Sequence, residues 1–355
     1  MSEETLPVTI DVRNLCKRYG ALRAIDGVSF QIRQGEVVGF LGPNGAGKST
    51  TMRILCGLLA ATSGEAEICG YSVARHPEQV KARIGYMPEH NPLPLELRVA
   101  EYLRFRGQLK GLRGKRLKER VGAAMEICDL DKKARRRIIG TLSKGFRQRV
   151  GIADAILAEP EVVVMDEPTI GLDPHQIQGI RQLIDTLRGR MTVILSSHIL
   201  PEIEVCSDRV IIINHGRVVA QGKPEELRAE LLPEVETIIE YRGSPELAET
   251  VRQSLNGGIV LRDTQPVHDD LHRATYVMQV SDRRGVEDLA AAFLKQPGVR
   301  LSSLHQVEPS LENIFIAATR PAWKSTQDIG PKSEDPPTEI PKDPVDEPSP
   351  DSDPK

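Results

Sequence analysis

The 355-residue sequence contains no apolar run close to the ~18 consecutive residues that a membrane-spanning helix requires. Its most apolar stretches, such as VVVM and VIIIN, stop within the length of one strand. The acidic N-terminal stretch MSEETLPVTIDV has no charged region followed by an apolar one, which argues against a secretory signal. If the protein works at a membrane, we therefore expect another chain to cross it.

Cysteine is scarce and its spacing carries no pattern. The five cysteines are scattered, odd in number and never spaced as CxxC, which argues against a zinc or redox site. We expect them to be the reduced thiols of a cytosolic protein. They are Cys16, Cys56, Cys69, Cys128 and Cys206.

The near balance of 47 basic and 50 acidic residues conceals a segregation along the chain. Residues 98–149 contain 17 Lys or Arg against 5 Asp or Glu, whereas residues 321–355 contain 4 against 9. Charge sorted by region in this way indicates partners. Aromatic residues in the basic segment are limited to Tyr102, Phe105 and Phe146, so base stacking on nucleic acid has little support.

The order of predicted elements indicates two folded units and a tail. From Ile10 to about Gly222, short β-branched runs alternate with helical patterns, which predicts an α/β fold with a largely parallel sheet. A βαββαβ pattern follows and favours a small ferredoxin-like α+β domain. From Pro321 onward there are nine prolines and no apolar periodicity, which predicts disorder. The predicted domains are 1–222, with a helical subdomain at about 92–150, then 223–320, and a disordered tail at 321–355.

The stretch GPNGAGKST, residues 42–50, lies between the apolar strand EVVGFL and the helical TMRILCGLL. It matches GxxxxGK[ST] in the context that a phosphate-binding loop requires. Its backbone N–H groups and the positive end of the following helix would hold phosphate oxygens. Lys48 is predicted to reach the β and γ phosphates, and Ser49 to bind Mg²⁺. The predicted phosphate-binding residues are Gly42, Pro43, Asn44, Gly45, Ala46, Gly47, Lys48, Ser49 and Thr50.

A second motif is EVVVMDEP, residues 161–168, a buried strand that ends in two carboxylates. Adjacent acids beside apolar residues are costly unless a cation or a polar site receives them. Asp166 is predicted to hold Mg²⁺, and Glu167 to orient and deprotonate the attacking water. His198, at the end of the strand MTVILS, is predicted to contact the γ phosphate and the water.

Taken together, the ordered motifs resemble those of ABC-type ATPases. They are Tyr19, GPNGAGKST, YMPE ending at Glu89, TLSKGFRQRV at 141–150, VVVMDEP, GLDP at 171–174 and His198. The resemblance is strongest to ATPase subunits of exporters with a separately encoded membrane subunit, of the kind found in gliding-motility and drug-efflux systems. The closing stretch PSLENIFIAATR, residues 309–320, is similar to the last helix of that subgroup.

The resemblance implies a P-loop NTPase fold and a role for each motif. Lys48, Glu167 and His198 would be catalytic; Ser49, Glu89 and Asp166 would surround Mg²⁺. Tyr19 would stack on adenine. Ser143 and Gly145 would contact the ATP of a second subunit in a head-to-tail dimer, and Asp173 would lie at the dimer contact.

Three residues depart from the family's usual pattern. Lys144 stands where glycine is more common, and Phe146 stands where glutamine is more common. Glu89 replaces the glutamine that links Mg²⁺ and the water to the membrane partner. Because a carboxylate can still bind Mg²⁺, we expect activity with altered coupling.

The predicted function is an ATP-hydrolysing motor that drives a separate membrane permease. We expect no nucleic-acid partner. The second ATPase subunit would be another copy or a homologue, and the chain would sit peripherally on the inner face of the cell membrane. The alternative is a soluble ABC-type ATPase acting on ribosomes or nucleic acid, with residues 98–149 as its footprint. In the transporter interpretation the same segment is the helical subdomain, which faces the membrane partner, and its charges lie near an anionic cytoplasmic leaflet. A third interpretation of those charges is a solvated helix face without a partner.

Overall fold

The computed structural model describes residues 6–130, 134–197, 199–232, 234–255, 258–268, 270–279 and 283–327. The strands are β1 (Val8–Tyr19), β2 (Leu22–Arg33), β3 (Val37–Leu41), β4 (Ser63–Ile68), β5 (Tyr71–Ser72), β6 (Ile84–Met87), β7 (Val162–Asp166), β8 (Thr192–Ser197), β9 (Arg209–Asn214), β10 (Arg217–Gly222), β11 (Glu234–Arg242), β12 (Val260–His268), β13 (Leu271–Gln279) and β14 (Arg300–Val307). The helices are α1 (Lys48–Leu55), α2 (Pro77–Arg83), α3 (Val99–Leu109), α4 (Gly114–Ile127), α5 (Lys144–Ile156), α6 (Pro174–Leu187), α7 (Leu200–Cys206), α8 (Pro224–Leu231), α9 (Leu247–Ser254), α10 (Arg283–Leu294) and α11 (Leu311–Gln327). The predicted contact of His198 with phosphate and the predicted disorder of residues 328–355 fall outside the described residues.

A six-stranded sheet in the order β10-β9-β3-β8-β7-β6 forms the centre of the first unit. Every pairing in it is parallel except that of β9 with β10. All residues of β3, β7 and β8 are buried, as expected for parallel strands covered on both faces. Their carboxyl ends therefore bring the loops after β3, β7 and β8 to one edge.

A second, antiparallel sheet lies beside the first, in the order β2-β1-β4-β5. The alternation of strands and helices along the sequence predicted one largely parallel sheet. It did not predict that these four strands form a sheet of their own. The difference has a local cause: β1 and β2 are joined by the short connection at residues 20–21 and pair antiparallel as a hairpin. This hairpin places Tyr19 at its tip and Ala24 next to the loop after β3.

The helical subdomain contains α3 and α4 and is joined to α5 by a buried polar contact. Asp154 of α5 accepts hydrogen bonds from the Tyr102 hydroxyl at 3.1 Å and from Arg106 Nε at 2.9 Å. The apolar stripe of α4, including Val121 and Met125, is buried as its spacing predicts. Helix α5 continues to Ile156, beyond the predicted subdomain limit near residue 150.

The second unit has strands in the order β12-β13-β11-β14, all antiparallel. With α9 and α10 this is the βαββαβ arrangement, and the predicted ferredoxin-like architecture is confirmed. Tyr241, Tyr276 and Phe293 form its aromatic core, with the Tyr241 and Phe293 ring centroids 4.9 Å apart. This core is separate from those of the first unit.

Helix α11 returns from the second unit to the first. Leu311 and Ile314 are fully buried in the same apolar core as α5 and α6. Arg228 of α8 donates to the carbonyl oxygen of Pro309 at 2.5 Å, directly before this helix. The helix runs to Gln327, past residue 321 where the predicted tail begins.

Candidate active site

The phosphate loop, residues 42–50, connects β3 to α1 and is shaped by close backbone contacts. A Cβ on Gly42 would lie 2.4 Å from the carbonyl oxygen of Ile213, and one on Gly47 would lie 2.6 Å from that of Ala24. Gly47 also has a φ of 108°, in the left-handed region that favours glycine, and it precedes the first turn of α1. The loop is thus fixed between the hairpin and β9, and the N-terminus of α1 points into the same cleft.

Lys48 is buried and folded against the loop. Its ammonium donates to the carbonyl oxygens of Gly42 at 2.7 Å and Pro43 at 3.3 Å. Burial lowers the pKa of this amine below its ordinary value. The carboxylates of Glu167, Asp166 and Glu89 act in the opposite direction, so Lys48 lies within the field of all three acids.

Asp166 and Glu167 are both buried at the end of β7, and Ser196 of β8 connects them. The Ser196 hydroxyl donates to Asp166 Oδ1 and accepts the Glu167 backbone N–H at 3.1 Å. Glu167 has a φ of 52°, which is uncommon for a residue with a side chain and occurs at functional sites. No sequence motif indicated Ser196, which lies beside Asp166 on the neighbouring parallel strand.

A cleft of about 390 Å³ brings most of the predicted nucleotide-binding residues together. Its lining comprises Ala24, Pro43, Asn44, Gly45, Gly47, Lys48, Ser49, Thr50, Glu89, Glu167 and Ile170. Gly42 and Ala46 belong to the same loop but are buried, and they shape the loop without lining the cleft. Ala24 and Ile170 are lining residues that no motif indicated.

Tyr19 lies outside the lining of this cleft. The residue is 49% exposed at the tip of the hairpin, and the Lys17 ammonium lies 5.1 Å from its ring centroid. An exposed aromatic face is suited to stacking on a base, and the contact with adenine stays a prediction.

The segment 143–145 forms the N-terminus of α5 and also lies outside the lining of the cleft. Ser143 caps the helix by accepting the Phe146 backbone N–H at 3.4 Å. Gly145 is required by a close approach, because a Cβ there would lie 2.4 Å from Gln176 Oε1 of α6. Ser143 and Gly145 are therefore not positioned around the chain's own phosphate loop.

The GLDP loop, residues 171–174, contacts this segment. Lys144 lies over Gly171, since a Cβ on that glycine would be 2.3 Å from the lysine Nζ. Asp173 is exposed and caps α6 by accepting the Gln176 backbone N–H at 2.9 Å. The capping role is intramolecular, and the predicted dimer contact of Asp173 stays a prediction.

The arginines of the stretch 141–150 have different surroundings. Arg149 donates to the Cys128 carbonyl oxygen at 3.1 Å and packs against Gly179, so it braces α5 against α4 and α6. Arg147 is half-buried and lines a groove of about 520 Å³ that shares Glu89 with the nucleotide cleft. These contacts cannot be anticipated from a basic run alone.

Comparison with known proteins agrees with this geometry. Residues 25–170 match the family described as ABC transporter. The chain is 31% identical over 319 residues to the linearmycin resistance ATP-binding protein LnrL of Bacillus subtilis, which covers 87% of this chain and 98% of LnrL. The chain belongs to the ABC transporter ATP-binding proteins. Another ABC ATP-binding protein, the daunorubicin/doxorubicin resistance protein DrrA of Streptomyces peucetius, is 34% identical, with 87% of this chain and 92% of DrrA covered.

Solved structures of ABC ATPases have the same fold as the first unit. An ATP-binding subunit of an ABC transporter matches with a TM-score of 0.57 and 32% identity, covering 62% of this chain and 92% of that one. The dimeric ATP-binding cassette MJ0796, bound to ADP and Pi, matches with a TM-score of 0.55 and 25% identity, covering 60% and 98%. The predicted P-loop NTPase fold of the ABC type is thereby confirmed.

The predicted role follows from this membership. The chain is an ATP-binding, ATP-hydrolysing motor subunit of an ABC transporter, and the alternative of a soluble ATPase on ribosomes or nucleic acid is not favoured. ABC ATP-binding subunits work as dimers with membrane permeases. Over the described residues, the protein has no helix of the length and apolarity needed to span a bilayer.

Proposed function

We propose that two copies of this ABC ATPase, or one copy and a homologue, close head-to-tail around two ATP molecules and drive export by a separate membrane permease. The observation that carries the proposal is the division of the motifs: Lys48 and Glu167 line one cleft, whereas Ser143 and Gly145 lie outside it. A second chain would complete each site with its own Ser143 and Gly145. The names of the relatives, which include Nod factor export and drug resistance ATP-binding proteins, support the direction of transport. The motor would then lie on the inner face of the membrane, held there by its permease.

Phosphate binding follows from the shape and charge of the loop. Residues 42–50 present backbone N–H groups at the N-terminus of α1, where the helix dipole favours an anion. The Lys48 ammonium exchanges its carbonyl partners in the loop for the β and γ phosphates. Because the site is buried, this charge interaction is stronger than it would be in water.

The oxygen donors at the cleft fit Mg²⁺. The Ser49 hydroxyl and the Asp166 carboxylate would hold the ion together with Glu89; Ser49 and Glu89 line the cleft. The described residues contain no group of three or more His, Cys, Asp or Glu that could form a metal cage. Mg²⁺ suits such a sparse set because it takes most of its ligands from phosphates and water. When bound, it would neutralise the phosphate charge that develops during hydrolysis.

We assign the role of general base to Glu167. Its backbone is fixed by the hydrogen bonds to Ser196, and its side chain lines the same cleft as the phosphate loop. The carboxylate takes a proton from water as the water oxygen bonds to the γ phosphorus. The bond from that phosphorus to the β–γ bridging oxygen breaks, which releases ADP and phosphate. His198 would contact the γ phosphate and this water, and Tyr19 would stack on the adenine.

The groove beside the cleft supports a docking site for the permease. Asn91 and Arg147 line this groove. Their Nδ2 and Nε atoms are buried and have no hydrogen-bond partner among the described residues. Buried donors of this kind are costly until an acceptor reaches them. Glu89 lines both spaces, so a permease segment that binds the groove would affect the cleft through this residue.

The base assignment is tested with Glu167→Gln. This variant should bind ATP as the wild type does, lose turnover by about 10²-fold or more, and accumulate as an ATP-bound dimer. Dimer formation is measured by light scattering with and without ATP. Lys48→Ala is the matched control, since it should lose ATP binding and remain unassociated. Wild-type turnover by Glu167→Gln would refute the base assignment.

The head-to-tail arrangement is tested by mixing two defective chains, Ser143→Arg and Lys48→Ala. A head-to-tail heterodimer contains one site with Lys48 and Ser143 both intact, because they come from different chains. Mixing should therefore restore ATP-dependent dimerisation and part of the hydrolysis. If Ser143 served its own phosphate loop, no intact site would exist and the mixture would stay inactive.

A further inference from the structure

A cleft of about 370 Å³ in the helical subdomain is lined mainly by arginine. Its lining residues are Arg98, Ala100, Glu101, Arg104, Arg135 and Arg136. Backbone hydrogen bonds hold its two walls together: the Ala100 N–H donates to the Arg135 carbonyl oxygen at 3.1 Å. Arg98 Nη1 also donates to the Arg136 carbonyl oxygen at 2.5 Å. The main chain thus fixes four guanidinium-bearing residues around one space.

Two arginines of this cleft, Arg104 and Arg136, keep exposed guanidinium groups. Among the described lining residues Glu101 is the one carboxylate, and it lies 3.9 Å from Arg98 Nε on the exposed surface. Within the described ranges, the side chains of Arg104 and Arg136 form no hydrogen bond or ion pair, and Arg136 contacts Arg98 only through its backbone carbonyl. Like charges held together repel each other, so the arrangement favours an anion between them. The planar guanidinium fork matches the oxygens of phosphate.

Helix α3, which contributes part of the cleft, also has exposed apolar side chains. Phe105 and Leu109 are 51% and 63% exposed and are one helical turn apart on α3. Phe105 is one helical turn after Glu101, which lines the cleft, so α3 presents large apolar groups beside the cationic residues of the cleft. This combination is typical of helices that lie in the headgroup region of a membrane.

We propose that the arginine cleft binds the phosphate groups of anionic lipids, with Phe105 and Leu109 entering the boundary of the acyl chains. Free phosphate would use the arginines but would leave both apolar side chains exposed to water. A lipid surface satisfies both features, and a subunit that works with a membrane permease operates beside such a surface. The site is separate from the nucleotide cleft, so it can be tested without ATP.

The full-length protein is sedimented with vesicles of equimolar phosphatidylcholine and phosphatidylglycerol, in the absence of nucleotide. The double variant Arg104→Ala, Arg136→Ala should bind these vesicles roughly 25-fold more weakly, about fivefold for each arginine. Phe105→Ser should weaken binding with no change of charge. The matched control is Lys115→Ala, Arg116→Ala on α4, which removes the same charge outside the cleft and should have a much smaller effect. ATP affinity at the phosphate loop should be unchanged in every variant, which confirms folding.

Three results would overturn the proposal. Equal losses in the cleft variant and the α4 control would mean that net charge, and not the cleft, attracts the membrane. If the cleft variant loses the binding of inorganic phosphate, measured by calorimetry, but retains vesicle binding, free phosphate is the ligand. Unchanged vesicle binding together with lost permease binding would identify the cleft as a protein contact.

Discussion

The Thr169 hydroxyl donates a hydrogen bond to the carboxylate of Glu202, and both side chains are buried. Thr169 comes two residues after the proposed base Glu167, whereas Glu202 belongs to α7. The contact therefore connects the turn that follows β7 to the helix that follows β8. Because Glu167 has an uncommon backbone conformation, this turn needs external support.

Removing the acceptor of this hydrogen bond should destabilise the protein. Glu202→Ala leaves the buried Thr169 hydroxyl without its partner and should lower the free energy of unfolding by about 1–3 kcal/mol. Glu202→Gln keeps an acceptor oxygen of the same shape and should cost less. Urea unfolding of the three proteins measures the difference. Equal stability of Glu202→Ala and the wild type would contradict a structural role for the contact.

Ser196 should affect hydrolysis more than nucleotide binding. Its hydroxyl contacts Asp166 and the Glu167 backbone at once, so it orients both acids without lining the cleft. Ser196→Ala should lower kcat by roughly 10-fold or more, in the range seen for supporting contacts at metal sites. ATP affinity should change little. Both kcat and the dissociation constant for ATP are measured. A variant that loses ATP affinity but keeps the wild-type kcat would argue against this role.

Sequence patterns predicted the parts of this fold that depend on local chemistry. The phosphate loop and β7 were recognisable because Gly-rich turns and continuous apolar strands have local causes. Ser196, Glu202 and Arg149 were not, since their roles depend on partners more than twenty residues away in sequence. The antiparallel hairpin was missed because a parallel and an antiparallel strand can have the same apolar pattern.

Asp154 should be important for the attachment of the helical subdomain. It accepts hydrogen bonds from Tyr102 and Arg106 of α3, and its backbone carbonyl accepts one from Lys110 at 2.7 Å. Asp154→Ala would leave the half-buried Arg106 and the Tyr102 hydroxyl without this acceptor and should cost about 2–3 kcal/mol of unfolding free energy. Arg104→Ala on the same helix is the control and should stay within about 0.5 kcal/mol. Similar stability of both variants would contradict the prediction.

The lowered pKa of Lys48 predicts a pH dependence of stability. Burial disfavours the ammonium, so the folded state releases the Lys48 proton at lower pH than the unfolded chain. Between that lowered pKa and the ordinary value of 10.5, the unfolded state binds more protons, and stability from this group increases with pH. Relative to Lys48→Met, the wild type should therefore gain unfolding free energy across this alkaline range. If the unfolding free energies of the two proteins change with pH in the same way, Lys48 has the same pKa in the folded and unfolded states.

Deletion of everything after residue 222 is a poor test of the second unit, because it also removes α11. Leu311 and Ile314 of that helix are buried in the core of the ATPase unit, and each should cost about 2–5 kcal/mol when replaced by Ala. The ends of the second unit lie close together, since Arg228 of α8 contacts both Pro309 and Glu308. A short Gly/Ser linker can therefore replace residues 234–307 and retain α8 and α11.

This replacement separates packing from regulation. If the second unit only packs beside the ATPase unit, the replaced protein should unfold with nearly the wild-type free energy and hydrolyse ATP at the wild-type rate. Deletion of residues 223–355 should instead destabilise the ATPase unit, because the buried faces of α7 and β9 that α11 covers become exposed. Transport by membranes that contain the permease is the deciding measurement. A replaced protein that hydrolyses ATP normally but fails to support transport would assign the second unit a role in coupling.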